Sequence, residues 1–219
     1  MFNELKQKGS FYKKYIKFYI ERFTYSSISV ENQDVKEKNI TNYIEAFNYL
    51  IGVDSKLTVS DIERVGDLVN KENGLQGLRK INVLSGSEFE PVEPERIPFQ
   101  LFSQLSNYYK IWDLLDPYER EAMFHINFML IHPFEDGNKR VAKLILNTNL
   151  LKQGCAPVII TKEDTEQYYE FINSKNYLGF AEFLRQRSNI ELNNMVGLYK
   201  LEHHISEEKT GDNILGRKK

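Results

Sequence analysis

Two helix-like segments of the chain meet at the stretch His132-Pro133-Phe134-Glu135-Asp136-Gly137-Asn138-Lys139-Arg140. A proline disfavours helix at the residue before it, so the segment that approaches this stretch is predicted to stop at His132. Gly137 allows the backbone to come close to a ligand, and a second helix is predicted to begin near Asn138. The stretch therefore predicts a helix, a short polar loop and another helix.

The loop combines groups that suit a bound phosphate. The amino terminus of the following helix has unpaired N–H groups and a partial positive charge, and Arg140 adds a guanidinium. Asp136 is a carboxylate suited to Mg²⁺, and His132 is the nearby group that accepts a proton at neutral pH. Phe134 is the large apolar residue expected to attach the loop to the core. Each residue alone is ordinary turn chemistry, but their combination favours a catalytic phosphate-binding loop.

Hydrophobic periodicity predicts a mainly α fold around this loop. Thr58 and Ser60 are both plausible caps for one of the helices. The polar segment from His203 onward is expected to fray at its end. The predicted helices cover residues 12–23, 40–50, 59–69, 99–115, 117–131, 138–153, 163–173 and 178–186.

One segment differs from the helical pattern. Residues 81–84 are predicted to form a short strand, 85–87 a turn and 88–90 the returning strand of a small β-hairpin. Pro91, Pro94 and Pro98 are expected to exclude helix from the stretch that follows.

The chain contains no internal repeat or evident linker. We divide it into an N-terminal helical segment at residues 1–50, a core domain at 51–190, and a C-terminal helix with a polar tail at 191–219.

Composition excludes several classes of protein. Of the 219 residues, 41% are hydrophobic and 13% aromatic, which supports a packed core and excludes disorder of the whole chain. The net charge of −2 gives no indication of nucleic-acid binding. A single cysteine, Cys155, cannot form an internal disulfide, argues against structural zinc and suits the cytoplasm. No apolar run is long enough to span a membrane, and residues 1–10 lack the apolar core of a signal peptide.

The loop resembles the signature of the Fic family, H-P-F-x-[D/E]-G-N-G-R-x-x-R. The resemblance extends over roughly residues 23–184 and includes the segments Leu146-Asn147-Thr148 and Pro157-Val158-Ile159-Ile160. It implies a Fic-type helical bundle, with the hairpin at 81–90 acting as a flap that holds a target segment by strand addition. The matching positions are His132, Pro133, Phe134, Asp136, Gly137, Asn138 and Arg140.

The resemblance also implies a reaction. In this family AMP is transferred from ATP to a Tyr, Thr or Ser hydroxyl of a target protein, and the enzyme itself is a candidate target. His132 would be the base and Asp136 would hold Mg²⁺. A homo-oligomer is compatible with this interpretation, whereas nucleic acid and membrane are not expected partners. The positions implied to bind nucleotide are Phe134, Gly137, Asn138, Lys139, Arg140, Lys143, Tyr169 and Asn176.

A second resemblance concerns regulation. The stretch Ser27-Ile28-Ser29-Val30-Glu31-Asn32 looks like the family's inhibitory motif, [S/T]-x-x-x-E-[G/N], at the N-terminal position of class II members. It implies that Glu31 pairs with the last basic residue of the signature and blocks the ATP γ-phosphate. That residue is Lys143 here. Because lysine cannot make the two-pronged contact that arginine makes with a carboxylate, weaker autoinhibition is predicted.

Two departures from the signature keep other functions open. Lys139 replaces the second glycine, as in the Doc branch of the family, which transfers the γ-phosphate. Lys143 replaces the last arginine. The alternatives are therefore a Doc-like protein kinase, a de-AMPylase in which Glu31 positions water, and an inactive nucleotide-binding module. Metal-dependent phosphodiester hydrolysis through His132 and Asp136 ranks last, because four His in total give few metal ligands.

Overall fold

The computed structural model describes residues 1–29, 37–83 and 89–203. Within these ranges the regular structure is entirely helical, which confirms a mainly α fold. No strand occurs among the described residues. The α-helices are α1 (Phe2–Lys6), α2 (Gly9–Ser29), α3 (Glu37–Gly52), α4 (Val59–Val69), α5 (Ile97–Lys110), α6 (Pro117–Ile131), α7 (Asn138–Lys152), α8 (Thr165–Asn173) and α9 (Tyr177–Glu202).

Helix α7 lies at the centre of the bundle. All of its residues except Lys139 and Lys152 are buried. It packs against α6, α3 and α4, while α6 also packs against α9. A helix enclosed on every side is held rigidly by its neighbours. The loop that precedes α7 is therefore attached to the most constrained part of the core.

Local signals place several helix boundaries correctly. Thr58 caps α4 by accepting a hydrogen bond from the Asp61 N–H at 3.2 Å, and Asp61 accepts one from the Thr58 N–H at 2.8 Å. This reciprocal pair confirms one of the two predicted caps. The expectation that Pro98 excludes helix was wrong, because α5 begins at Ile97 and Pro98 lies in its first turn. A proline is tolerated there, since the first turn needs no intrahelical N–H donor.

Two helices run further than the periodicity predicted. Helix α2 continues through Ser29, so Ser27 lies on a helix and is 1% exposed. Helix α9 continues to Glu202 instead of ending near residue 186. A partly buried ion pair joins the two helices, with the Arg22 guanidinium donating to both Glu191 carboxylate oxygens at 3.1 and 2.9 Å. The predicted divisions at residues 50 and 190 fall inside α3 and α9.

The predicted hairpin lies only partly within the described residues. Residues 81–83 and 89–90 are described and form no strand, whereas 84–88 are outside the described ranges. On either side of the residues that are not described, the Arg79 guanidinium donates to the carbonyl oxygens of Ile81 and Val92. These carbonyls therefore bond to a side chain. Glu31 and Asn32 of the inhibitory motif also lie outside the described ranges.

Membrane insertion was not expected from the sequence. Over the described part of the chain, no helix combines the length and apolar character needed to cross a bilayer.

Candidate active site

His132 terminates α6 in an unusual backbone conformation. It has φ 51° and ψ 61°, and its N–H donates to the Phe128 carbonyl at 3.0 Å. A non-glycine residue in the left-handed region is uncommon, and it turns the chain sharply out of the helix. Burial, together with the charge of Arg79, lowers the pKa of His132 to about 4. The imidazole is therefore neutral at pH 7 and can accept a proton.

The apolar residue of the loop is embedded in the core. Phe134 is 2% exposed, and its ring lies against Gly66 of α4. A Cβ at position 66 would lie 2.2 Å from a ring carbon, so glycine there provides the room for the ring. This contact confirms that Phe134 attaches the loop to the core.

Asn138 closes the loop on itself. Its side-chain amide donates to the Phe134 carbonyl at 2.8 Å, and its carbonyl oxygen accepts from the Phe134 N–H at 2.9 Å. The side chain is 3% exposed. The described contacts of Asn138 therefore fix the shape of the loop and are not directed at a ligand.

Asp136 and Arg140 form an ion pair inside the site, with Arg140 Nη2 2.9 Å from Asp136 Oδ2. Arg140 is 3% exposed and also reaches acceptors on Val69 and Asn70. The Asp136 side chain remains 38% exposed, and its Oδ1 accepts from the Gly137 N–H at 2.7 Å. Arg140, which was predicted to bind phosphate, thus pairs with Asp136, which was predicted to hold the metal.

Two asparagines beyond the signature complete this network. Asn70 donates to the Asp136 carbonyl at 2.9 Å, and Asn73 donates to the Asp136 carboxylate at 2.8 Å. Gly137 has φ 79°, and a Cβ on it would lie 2.7 Å from Asn70 Oδ1. Sequence reasoning missed both asparagines, because Asn-rich turns after a helix are common and give no sign of a distant partner.

Lys139 reaches from the loop to α8. Its ammonium donates to the Tyr169 hydroxyl at 2.6 Å and lies 5.2 Å from the centre of the Tyr169 ring. The structure thus brings together two positions that the sequence placed in the nucleotide site. Asn176 has a different role among the described contacts, since it caps α9 by accepting from the Gly179 N–H at 2.9 Å.

Lys143 is a buried cation one turn further along α7. It is 1% exposed, and its ammonium lies 5.8 Å from the centre of the Tyr168 ring. Burial and the charge of Lys143 lower the pKa of the neighbouring His125 to about 3. His125 shares a hydrogen bond of 2.7 Å with the Tyr168 hydroxyl. Neutral His125 and Tyr168 therefore form a polar contact deep in the bundle beside Lys143.

The residues present are compatible with a metal bound together with a nucleotide. The described ranges contain no group of three or more His, Cys, Asp or Glu that could hold a metal by themselves. Mg²⁺ usually takes one or two carboxylates, and substrate phosphates and water complete its coordination. The partly exposed Asp136 carboxylate meets that requirement.

The sequence did not identify Arg79, which lies close to the proposed base, His132. Arg79 is 2% exposed, its Nε donates to the His132 carbonyl at 2.7 Å, and its backbone N–H donates to the Pro133 carbonyl at 2.9 Å. A lone arginine in the segment after α4 carries no pattern that would identify it.

Comparison with known proteins gives a consistent result. Residues 56–150 match the model of the Fic/DOC family. A protein adenylyltransferase Fic of Nematostella vectensis is 30% identical over 176 residues, covering 73% of this chain and 39% of that protein. Protein adenylyltransferase fic-1 of Caenorhabditis elegans is 33% identical over 133 residues, covering 58% of this chain and 24% of that protein. The chain thus spans less than half the length of these relatives.

Solved structures share the fold over most of the chain. A Fic domain containing signaling protein from Bacteroides thetaiotaomicron superposes with a TM-score of 0.72 at 20% identity, covering 94% of this chain and 99% of that one. Fic-1 from C. elegans gives a TM-score of 0.71 at 20% identity, covering 94% of this chain and 72% of that one. The chain therefore has the all-helical Fic fold, and its residues 56–150 are a Fic/DOC family domain.

Proposed function

We propose that this protein is an adenylyltransferase that transfers AMP from ATP to a Tyr, Thr or Ser hydroxyl of a protein. The observation that carries the proposal is the arrangement of one loop. A half-buried, neutral His132 stands at one end of it, and the Asp136 carboxylate and the amino terminus of α7 stand at the other. Relatives named protein adenylyltransferase supply the class of reaction.

The proposed step begins with a proton transfer. The neutral imidazole of His132 takes the proton of the target hydroxyl, and the oxygen attacks the α-phosphorus of ATP. A new P–O bond forms to the protein, the bond from the α-phosphorus to the α–β bridging oxygen breaks, and pyrophosphate leaves with the electron pair. The rigid turn at His132 favours this role, because a general base must be held within hydrogen-bond reach of its proton.

The other end of the loop would stabilise phosphate charge. The first N–H groups of α7 face the loop without intrahelical acceptors, and the helix dipole favours an anion there. Asp136 would hold Mg²⁺, which supplies positive charge to the phosphates. Arg140 and Asn73 keep the Asp136 carboxylate in place through their hydrogen bonds, and Asn70 holds the Asp136 backbone carbonyl.

Two further parts of the proposal concern the target and regulation. The segment at 81–90 would hold the target by strand addition, which needs exposed backbone groups on both partners. Glu31 would lower activity by pairing with Lys143 and excluding the γ-phosphate.

A Doc-like kinase is the second candidate, because Lys139 is shared with that branch. In this structure the Lys139 ammonium is bound by Tyr169 of α8. That contact keeps the additional charge at the α8 side of the loop, which favours AMP transfer over phosphate transfer. The de-AMPylase and the inactive module remain the further alternatives.

Labelled ATP distinguishes these candidates. We expect label from the α-phosphate to enter protein, with release of pyrophosphate. Incorporation from the γ-phosphate with release of ADP would instead identify a kinase. The matched control is His132→Ala, which should reduce transfer by about 10²–10⁴ while ATP binding stays nearly unchanged. Transfer at the wild-type rate in that variant would exclude His132 as the base.

A further inference from the structure

A single buried guanidinium organises the backbone around the proposed base. Arg79 Nε donates to the His132 carbonyl at 2.7 Å, and Nη2 lies 3.5 Å from the Ile131 carbonyl. The Arg79 backbone N–H donates to the Pro133 carbonyl at 2.9 Å. Three consecutive residues at the end of α6 are therefore fixed by one side chain and its own backbone.

The same guanidinium also bonds to described residues on both sides of 84–88. Nη1 donates to the Ile81 carbonyl at 2.9 Å, and Nη2 donates to the Val92 carbonyl. Ile81 lies at the start of the segment that would hold the target, and Val92 follows it. Arg79 thus connects Ile81, at the start of that segment, and Val92, two residues beyond its end, directly to the turn that carries His132.

Arginine is well suited to this position. Its planar guanidinium carries five N–H donors in a fixed geometry, so it reaches several carbonyl oxygens at once. Lysine has the same charge, but its donors are concentrated on one atom at the end of a flexible stem. The side chain is 2% exposed, so hydrogen bonds lost through substitution would not be replaced readily by water.

We propose that Arg79 is a positioning residue, which holds the proposed base in place by bonding the His132 turn to the carbonyls of Ile81 and Val92 through one guanidinium. The assignment of His132 as the base rests on the proposed AMP transfer. The positioning of the His132 turn rests on hydrogen bonds of this chain alone.

The charge of Arg79 has a second consequence, which separates positioning from simple stabilisation. Three charged groups act on His132. Burial lowers the pKa of its imidazole most, the charges of Arg79 and Lys139 lower it further, and Asp136 raises it. Removing the charge at position 79 should therefore raise the pKa of His132 toward the ordinary histidine value. A variant that keeps the charge but loses the planar guanidinium should leave that pKa low.

The experiment compares three variants. Arg79→Lys keeps the charge, and Arg79→Gln removes it. Arg120→Gln is the control, because Arg120 is also a largely buried arginine, lies at the opposite end of α6, and pairs with Asp113 at 2.9 Å. Thermal unfolding of all three identifies any loss of activity that merely follows a loss of stability.

Two readouts decide the outcome. We expect Arg79→Lys to lower kcat for protein labelling by about 100-fold, the effect of a misplacement of about 1 Å, with the KM for ATP nearly unchanged. By NMR titration of His132 without nucleotide, we expect its pKa to rise in Arg79→Gln and to stay low in Arg79→Lys and Arg120→Gln. Wild-type kcat in Arg79→Lys, or an unchanged pKa in Arg79→Gln, would overturn the proposal. The titration needs no transfer activity, so it tests Arg79 even if the wild-type protein transfers no AMP.

Discussion

The Lys139 ammonium donates a hydrogen bond of 2.6 Å to the Tyr169 hydroxyl, and so joins the signature loop to helix α8. The two residues are 30 positions apart in the sequence. Lys139 is also the residue at which the loop departs from the adenylyltransferase signature. The departure therefore has a defined partner inside the protein.

This contact gives the first prediction. Tyr169→Phe keeps the ring but removes the acceptor, so the ammonium becomes available to the triphosphate. A hydrogen bond to a charged group contributes about 1.5–3 kcal/mol, and we expect a rise of about tenfold in ATP affinity, measured by calorimetry. The share of γ-label among transferred groups should also rise.

The matched variant is Lys139→Gly, which restores the family residue. We expect it to raise the share of α-label among the transferred groups. In the double variant, the Tyr169→Phe substitution should then have no effect on ATP affinity or on that share. If Tyr169→Phe has the same effect in the Lys139→Gly background, the hydrogen bond is not the cause.

The second prediction concerns the metal. Asp136→Asn keeps an acceptor for Arg140 and Asn73 but removes the charge that would hold Mg²⁺. We expect the Mg²⁺ concentration at half-maximal activity to rise by about tenfold or more, because the carboxylate is the preferred ligand of this cation. The measurement is a magnesium titration of the transfer rate. Glu135→Ala is the control at the exposed neighbouring position, and a larger effect there would mean that Glu135 is the ligand.

The third prediction concerns autoinhibition by Glu31. Glu31→Gly should raise automodification and tighten productive ATP binding, because the carboxylate that competes with the γ-phosphate is removed. We expect a smaller gain than a glutamate–arginine pair would give, since lysine holds a carboxylate through one ammonium. The rate of label incorporation into the protein itself provides the measurement. Glu37→Ala, at the start of α3, is the control, and an equal gain in both variants would argue against specific autoinhibition by Glu31.

The fourth prediction concerns Gly66. The Phe134 ring occupies the space that a Cβ at position 66 would need, at 2.2 Å. Gly66→Ala should therefore lower the free energy of unfolding by about 1–3 kcal/mol and displace the loop. Urea unfolding measures the loss, and the transfer rate reports the displacement.

A second glycine provides the comparison for that experiment. Gly197 lies inside α9, and a Cβ added there would have no neighbouring atom within 4 Å, so alanine meets no obstruction. Gly197→Ala should raise the free energy of unfolding by about 0.5–1 kcal/mol, because alanine has the higher helix propensity. Destabilisation of similar size in both variants would show that contact with Phe134 is not responsible.

Local sequence signals predicted much of this fold. The end of α6 and the start of α7 follow from Pro133 and Gly137, whose backbone preferences act on adjacent residues only. Thr58 was predictable as a cap for the same reason, since its partner Asp61 is three residues away. Apolar periodicity placed α3, α4, α6, α7 and α8, whereas the helix predicted at 99–115 was too long, since α5 ends at Lys110.

Contacts between distant residues decided what local signals could not. Helix α9 extends to Glu202 beside α2, which it meets through Arg22 and Glu191, 169 positions apart. The hydrogen bonds of Asn70 to Asp136 and of Arg79 to His132 likewise join residues 66 and 53 positions apart. No spacing rule connects such pairs, because their proximity arises only when the helices pack.

The sequence by itself therefore determined the helical class, the position of the loop and the choice of its proposed base and carboxylate. The backbone preferences of Pro133 and Gly137, together with the order of residues in the signature loop, sufficed for these features. Only the tertiary structure decided that Asn138 and Arg140 support the loop, that Lys139 binds Tyr169, and that Arg79 holds His132. These roles depend on which side chains face one another after the bundle closes, and a linear sequence does not state that.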